Sequence, residues 1–212
     1  MDHVETARLA LSMRILMPSI SLPPHMNGGG PMTARNNAKA LTAMGHDVRI
    51  YFPAHETGHD NWDGYEVHRI ASPNLYWDYR KPQPKWKKLA WHALENHNPW
   101  AAAAARRQIE DFKPDLVFTC SIENVNVVTW QAAQRAGVKS IHQAFSTYLL
   151  CWKSSMMRAD GAMCAGQCGS CRNTSIGKRF HSQYPQGLVG DSNFIINTHL
   201  KHGYFKSAKT LI

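Results

Sequence analysis

The chain has 212 residues, of which 43% are hydrophobic and 18% charged, a balance typical of a folded domain with a sizeable core. No segment approaches the ~20 consecutive apolar residues that a membrane span needs, and residues 1–12 lack the basic and apolar regions of a signal peptide. The net charge of +9 favours anionic partners such as phosphorylated ligands or acidic lipid surfaces. Because the basic residues are spread along the chain, nucleic-acid binding is not expected.

The first third of the chain alternates strands with a helix. The run "MRILMPSI" (13–20) predicts a buried parallel strand, and residues 1–12 before it are predicted to be an N-terminal extension. After a glycine-containing loop, residues 33–44 have the periodicity of a helix that ends at a glycine. "HDVRIYF" (46–52) and "YEVHRI" (65–70) predict two more strands. Strand, helix and strand in this order predict a right-handed parallel βαβ unit.

The rest of the chain continues the alternation after an irregular, aromatic stretch over 72–100. The further predicted elements are, in order, a helix (100–112), a strand ("KPDLVFTC"), a helix (125–137), a strand (138–143), a strand (187–192), a helix capped by Ser192 and ended by Gly203, and a last strand ("AKTLI"). This order predicts an α/β fold, a Rossmann-like doubly wound parallel sheet. No linker or repeat indicates a second domain.

Three consecutive glycines, Gly28, Gly29 and Gly30, lie between the first predicted strand and the first helix. Glycine lets the backbone approach a ligand closely, and a helix N-terminus offers free N–H groups to a phosphate. The loop lacks the G-x-G-x-x-G pattern, and no acidic residue follows the second strand as in nicotinamide-binding domains. The loop is therefore interpreted as a ligand-contacting turn, with a merely flexible turn as the alternative.

The chain holds five cysteines, and four of them fall in a predicted insertion over 151–172. These four are Cys151, Cys164, Cys168 and Cys171. The C-x3-C-x2-C spacing also holds the [4Fe–4S] cluster of radical S-adenosylmethionine enzymes, but those motifs come early and carry an aromatic residue where this chain has Ser170. Four thiolates in a loop of low apolar content predict a structural zinc site. Reduced, unligated thiols in a reducing cytoplasm are the alternative.

The segment "PKWKKLAWHAL" (84–94) places an apolar strip beside a basic one at helical spacing. The apolar residues are Trp86, Leu89, Ala90 and Ala93, and the basic ones are Lys85, Lys87 and Lys88. Interfacial membrane helices have this pattern. An ordinary crossover helix with a solvated face is the simpler interpretation.

Four segments, in order and spacing, resemble family 4 glycosyltransferases, which are retaining, glycogen-synthase-like enzymes of the GT-B fold. They are "MRILMPSISLPPHMNGGGPMTARNNAKALTAMGHDVRIYFP", "FKPDLVFTC", "AGVKSIHQAFSTYLLC" and "LVGDSNFIINTHLKHGYF". The resemblance spans 13–212 and implies the N-terminal, acceptor-side half of a two-domain enzyme, with the C-terminal donor domain outside these residues. Some members carry a similar cysteine-rich excursion.

The resemblance implies transfer of a sugar from a nucleotide-sugar donor to a hydroxyl of a sugar or lipid-linked acceptor, with retention and without a catalytic cofactor. It implies a cytoplasmic protein, peripheral at the inner membrane face. The glycine loop would lie in the cleft between the two halves. Glu123 and Asn124, just past a strand, would hydrogen-bond a sugar hydroxyl or cap the next helix.

Two polar positions of the family differ in this chain. The family's cleft histidine and aspartate fall on Phe145 and Ser146, which would line the acceptor side. The family's "HxH" strand end corresponds to the sequence "TCS" (119–121), and the nearby His142 is predicted to be a core histidine. These differences favour the alternative, a non-catalytic GT-B-like binding or partner module, stabilised by zinc. On either interpretation this N-terminal half of a GT-B structure is not expected to be catalytically active alone.

Overall fold

A computed structural model describes residues 12–25, 28–76 and 81–212. The strands are β1 (Arg14–Pro18), β2 (Asp47–Ala54), β3 (Gly58–Trp62), β4 (Tyr65–Ala71), β5 (Leu116–Thr119), β6 (Lys139–Ala144), β7 (Gly187–Gly190) and β8 (Lys209–Leu211). The helices are α1 (Gly29–Ala43), α2 (Lys85–Asn96), α3 (Pro99–Phe112), α4 (Val128–Arg135), α5 (Gly169–Asn173), α6 (Ile176–His181) and α7 (Asn193–Lys201). The predicted extension over 1–12 lies outside the described residues, apart from its last residue.

The strands form one sheet in the order β3-β4-β2-β1-β5-β6-β7-β8. All neighbours are parallel except β3, which runs antiparallel to β4. The chain winds from β1 through β2 to β4, returns to β5 on the other side of β1, and continues outward to β8. The predicted doubly wound α/β architecture is therefore confirmed.

Apolar side chains cover both faces of the central strands. Along β1, Ile15 belongs to one hydrophobic cluster and Leu16 to the other, as expected for a parallel strand buried on both sides. The first cluster includes Ala34 of α1, and the second includes Ile109 of α3 and Trp130 of α4. Packing of these helices fixes the positions of the loops that leave the carboxyl ends of the strands.

The structure differs from the sequence prediction in several short elements. Strand β3 was not predicted, because its sequence GHDNW is polar and its residues are exposed or half-buried at the sheet edge. Helix α1 begins at Gly29, four residues before the predicted start, since Pro31 is tolerated in a first turn. Helix α2 lies within the irregular stretch 72–100, where the pattern of residues 84–94 predicted a helix, whereas α5 and α6 were not predicted.

His142 is a core histidine, as predicted. It is 4% exposed, its Nδ1 lies 2.9 Å from Thr119 Oγ1, and its ring stacks on Phe205. Burial lowers the pKa of His142 to about 3, so the ring is neutral at physiological pH.

Among the described residues, no helix combines the length and the apolar character that a bilayer crossing requires.

Candidate functional site

The candidate site lies where the winding direction of the sheet reverses, between β1 and β5. In open parallel sheets, ligands bind outside the carboxyl ends of the strands at such a switch point. The loops that follow β1, β5 and β6 meet at this edge. They carry the glycine loop, Glu123 and Phe145, so residues distant in sequence are brought to one edge of the sheet.

The glycine loop makes a close approach to the segment after β5. A Cβ atom added to Gly30 would lie 2.4 Å from Ser121 Oγ and 3.5 Å from Phe145 Cζ, so no larger residue fits there without a shift. An added Cβ at Gly29 would meet nothing within 4 Å. Gly28 precedes α1, and no side chain caps that helix. The structure therefore brings Gly30 and Phe145 together around Ser121, while Gly28 and Gly29 remain exposed.

We expect Gly30→Ala to destabilise the chain by about 1–3 kcal/mol, because the new methyl group overpacks the contact with Ser121. Gly29→Ala is the matched control and is expected to leave the free energy of unfolding unchanged within ~0.5 kcal/mol. Chemical denaturation of the two variants makes the comparison. Ser121→Gly should restore most of the loss in Gly30→Ala. Equal stability of both glycine variants would show that the approach is not tight.

Glu123 lies in a tight turn that follows β5. Ser121 Oγ donates a hydrogen bond to its Oε2 at 3.0 Å. Burial raises the pKa of Glu123, and the hydrogen bond from Ser121 opposes this without reversing it. Asn124 is buried and adopts a left-handed conformation with φ 63°, which asparagine tolerates better than most residues. Asn126 Oδ1 accepts a hydrogen bond from the N–H of Val128, the first residue of α4.

A cavity of about 420 Å3 opens beside Glu123 at the carboxyl edge of the sheet. Its lining combines aromatic rings (Tyr76, Trp91, Tyr148, Trp152), carboxylates (Glu95, Glu123), a histidine (His92), two lysines (Lys88, Lys153) and two smaller residues (Ile20, Ser154). Aromatic walls with a few convergent polar groups are typical of small-molecule sites. Of the predicted site residues, only Glu123 lines this cavity.

A buried ion pair includes Glu95, whose side chain belongs to the lining of the cavity. Lys178 Nζ lies 3.2 Å from Glu95 Oε2, and both side chains are at most 2% exposed. Tyr148 donates its hydroxyl hydrogen bond to Glu95 Oε1, and His92 Nδ1 lies 3.0 Å from Oε2. Burial and the nearby carboxylates raise the pKa of Tyr148, so its hydroxyl remains a donor. These partners fix the orientation of the Glu95 carboxylate.

Phe145 and Ser146, which occupy the family's histidine and aspartate positions, do not line the cavity. Phe145 packs beside one hydrophobic cluster of the sheet. Ser146 Oγ accepts a hydrogen bond from the N–H of Tyr148 at 3.4 Å. Their part in substrate binding remains a prediction.

Sequence reasoning missed Glu95, Tyr148 and Lys178. They lie on α2, after β6 and on α6, and no sequence spacing relates them. The only available signal was the mixed apolar and basic pattern of 84–94, which indicates the α2 helix but not the residue that faces inward.

The four clustered cysteines line one cavity of about 400 Å3. Cys151 and Cys171 are buried with 3.7 Å between their Sγ atoms, Cys164 is half-buried and Cys168 is exposed. None of them forms a disulfide. Hydrogen bonds from Ser170 and Cys171 lower the pKa of Cys168 to about 7, and burial raises that of Cys171 to about 12. In the described part of the chain, no three Cys, His, Asp or Glu side chains already stand in a metal-binding arrangement. The predicted zinc site remains a prediction.

The fold defines a Rossmann-like α/β domain with a cavity at the carboxyl edge of its sheet. Residues 28–168 match the family model described as "Glycosyl transferase 4-like domain". The chain therefore belongs to this family. It resembles an uncharacterized 42.6 kDa protein in the cps region of Klebsiella pneumoniae, with 24% identity over 201 residues. That match covers 93% of this chain and 53% of the relative, so the chain spans about half the relative's length.

Solved structures share the fold. The crystal structure of Arabidopsis thaliana UGT89C1 complexed with UDP has a TM-score of 0.53 at 13% identity, over 94% of this chain and 48% of that one. The same enzyme complexed with UDP-L-rhamnose gives 0.51 at 11% identity, with the same coverage. These likenesses show the fold: the chain corresponds to one Rossmann-like half of a GT-B structure.

Proposed function

We propose that the chain is the acceptor-side half of a glycosyltransferase. In the complete enzyme, a sugar moves from a nucleotide-sugar donor to a hydroxyl of an acceptor held in the cavity beside Glu123, with retention at the anomeric carbon. The proposal needs no catalytic metal. The observation that carries it is the position of this aromatic and acidic cavity at the switch point of a family 4-like sheet.

The chemistry of the cavity suits a sugar acceptor. Flat rings such as Trp91 and Trp152 offer apolar faces to the C–H faces of a sugar ring. Carboxylates accept hydrogen bonds from sugar hydroxyl groups, and Glu123 and Glu95 lie on the same lining. Glu123 is the better candidate for contact with the reacting hydroxyl, because Glu95 is already held by Lys178 and Tyr148.

The glycine loop suits the donor side of the cleft. Its exposed backbone precedes the 15-residue helix α1, whose N-terminal N–H groups favour an anionic group. Two structures with this fold contain UDP or UDP-L-rhamnose. We therefore infer a nucleoside-diphosphate sugar as donor, with the departing diphosphate near Gly28 and Gly29.

We expect Glu123→Ala to lower kcat/KM by about 100-fold or more in the full-length gene product, because the acceptor hydroxyl loses its hydrogen-bond partner. The assay supplies radiolabelled UDP-sugars and a bacterial lipid extract and separates labelled glycolipid from free sugar. Exposed Glu56→Ala is the control and should retain activity. Unchanged kcat/KM in Glu123→Ala would remove Glu123 from the acceptor site, and no transfer with any donor would contradict the proposed reaction.

A second candidate is a non-catalytic partner module. Phe145, at the family's histidine position, packs near Gly30 and so places a ring where the family has a polar group. A module of this kind would form a stable complex with another subunit and would transfer no sugar in the same assay. Size-exclusion chromatography of the gene product with and without co-expressed neighbouring genes distinguishes the two.

The exposed face of α2 supports peripheral membrane contact, on the cytoplasmic side of the membrane. Trp86 is 70% and Leu89 68% exposed, so the apolar strip of this helix is not buried against the sheet. The core-facing residues of α2 are Trp91 and Glu95. Lys85 and two further lysines of the helix accompany the strip, and this pairing of apolar and cationic side chains fits an anionic lipid surface. Because Lys88 also lines the cavity, α2 would place a lipid-linked acceptor beside Glu123.

We expect the chain to sediment with vesicles that contain phosphatidylglycerol and not with pure phosphatidylcholine. The double variant Trp86→Ser, Leu89→Ser should lower the bound fraction at least about fivefold, because the inserted apolar area is lost. Met44→Ser, at another apolar position that is 63% exposed, is the matched control. Equal binding of the double variant and the control would exclude α2 as the contact.

A further inference from the structure

The cysteine-rich loop brings four thiols to one small cavity, although only two of them are buried. Cys151 lies in the segment that follows β6, and Cys171 lies in α5. Cys164 and Cys168 belong to the loop between them. All four line the same cavity of about 400 Å3. The fifth cysteine, Cys120, lies in a different hydrophobic cluster and lines none of this cavity.

The spacing of the two buried sulfurs fits a tetrahedral metal site. A zinc ion with four Zn–S bonds of about 2.3 Å requires neighbouring sulfurs about 3.8 Å apart. The Sγ atoms of Cys151 and Cys171 are 3.7 Å apart, which matches one edge of that tetrahedron. A disulfide would need a separation of about 2.05 Å and would leave the other two thiols of the cavity without a role.

The loop lacks a core of its own. Between Cys151 and Cys168 the only regular pairing is an isolated bridge between Met157 and Met163. Both methionines are exposed, by 43% and 57%, and Met156 is the residue between them and Cys151 whose side chain joins the hydrophobic core. In such small substructures a bound metal commonly supplies the missing stabilisation.

We propose that Cys151, Cys164, Cys168 and Cys171 bind one zinc ion that anchors this loop to the body of the domain. Cys151 and Cys171 provide the preformed edge. Cys168 lies at the surface and its thiol hydrogen-bonds with that of Cys171, and Cys164 lines the same cavity. Because no three of these ligands converge on one point in the described residues, metal binding requires Cys164 and Cys168 to move toward the Cys151–Cys171 pair.

The anchored loop also forms a wall of the acceptor cavity. Trp152 and Lys153 follow Cys151 directly, and both line the cavity beside Glu123. The zinc ion would therefore hold these two side chains in place. This consequence rests on the proposed function, whereas the metal site itself does not.

The first experiment measures metal content in the chain purified under reducing conditions without chelators. We expect one zinc per chain by inductively coupled plasma mass spectrometry, and about 2.3 Å Zn–S distances with four sulfurs by X-ray absorption. Cobalt substitution should give the intense visible bands of a tetrahedral thiolate complex. Cys168→Ser, at an exposed position, should lower zinc content at least tenfold at limiting metal, and Cys120→Ser should retain one zinc.

The results of the metal-binding experiments can be distinguished from those of the sugar-transfer assay. A chain that purifies metal-free from zinc-supplemented medium, and whose four thiols react freely with a thiol reagent, would overturn the proposal. So would a Cys151–Cys171 disulfide found by mass spectrometry under non-reducing conditions. Zinc binding without sugar transfer would support the metal site and contradict the proposed enzyme. Chelation should in addition speed tryptic cleavage at Lys153 and Arg158, because the released loop becomes accessible.

Discussion

Lys178→Met should lower the free energy of unfolding by about 3–5 kcal/mol, because it leaves the Glu95 carboxylate buried without its cationic partner. The lysine is 1% exposed, its Nζ also reaches the carbonyl oxygen of Tyr148, and it lies 3.7 Å from the centre of that ring. Urea denaturation followed by tryptophan fluorescence measures the loss.

A double-mutant cycle separates the ion pair from general packing. Glu95→Gln alone should also destabilise, and the double variant should lose less than the two single losses added together, with a coupling of about 1–3 kcal/mol. Lys201→Met, at an exposed lysine on α7, is the matched control and should stay within about 0.5 kcal/mol of the parent. A Lys178→Met variant as stable as that control would mean that the pair is solvated in solution.

Acidification should destabilise the fold steeply below about pH 6.5, because four buried histidines have lowered pKa values: His68, His142, His181 and His199. Burial lowers the pKa of His142 to about 3 and that of His181 to about 4. A lowered histidine pKa means that the unfolded state binds the proton first. Stability is therefore fully present above the unfolded pKa of about 6.5 and is lost as pH falls toward the folded value, by about 1.4 kcal/mol per pH unit for each histidine.

The charges around the two rings act in the same direction. His199 lies near His142, while His97 and Arg135 lie near His181, and each lowers the pKa of its neighbour. Unfolding free energies measured between pH 7.5 and 4.5 give the slope. His142→Gln should lower that slope by about 1.4 kcal/mol per pH unit, even where it costs stability at neutral pH, whereas His55→Gln, at an exposed position, should not. An unchanged slope in His142→Gln would contradict a buried, neutral His142.

The alternation of elements was readable in the sequence because each central strand is an apolar run bounded by turn residues. β1 and β5 contribute side chains to the hydrophobic clusters on both faces of the sheet, so their sequences contain consecutive hydrophobic residues. Strand β3 carries no such signal, since an edge strand forms by backbone pairing with β4 and its side chains need not be apolar. The short helices α5 and α6 also lack a sequence signal. Five or six residues do not sustain a helix alone, so these helices depend on packing against the domain.

The candidate site was only partly predictable. Glu123 and the glycines follow strands, so the rule that ligands bind at carboxyl edges identified them from spacing alone. The sequence could not show why Gly30 is a glycine. Its missing side chain makes room for Ser121, and this contact joins residues that are 91 positions apart in the chain. Glu95 and Lys178 were missed because their ion pair forms only where two helices pack together. In the sequence, each residue alone has the pattern of an exposed charged side chain.

By itself, the sequence determined the fold class, the family resemblance and the position of the cysteine-rich loop, since these depend on local periodicity and on motifs that are contiguous in the chain. Only the tertiary structure decided which side chains share the cavity, which face of α2 is exposed, and that two of the four cysteines lie 3.7 Å apart. The reason is physical: desolvation, ion pairing and metal-ligand spacing depend on distances through space, and residues 20 to 91 positions apart acquire those distances only when the helices pack on the sheet.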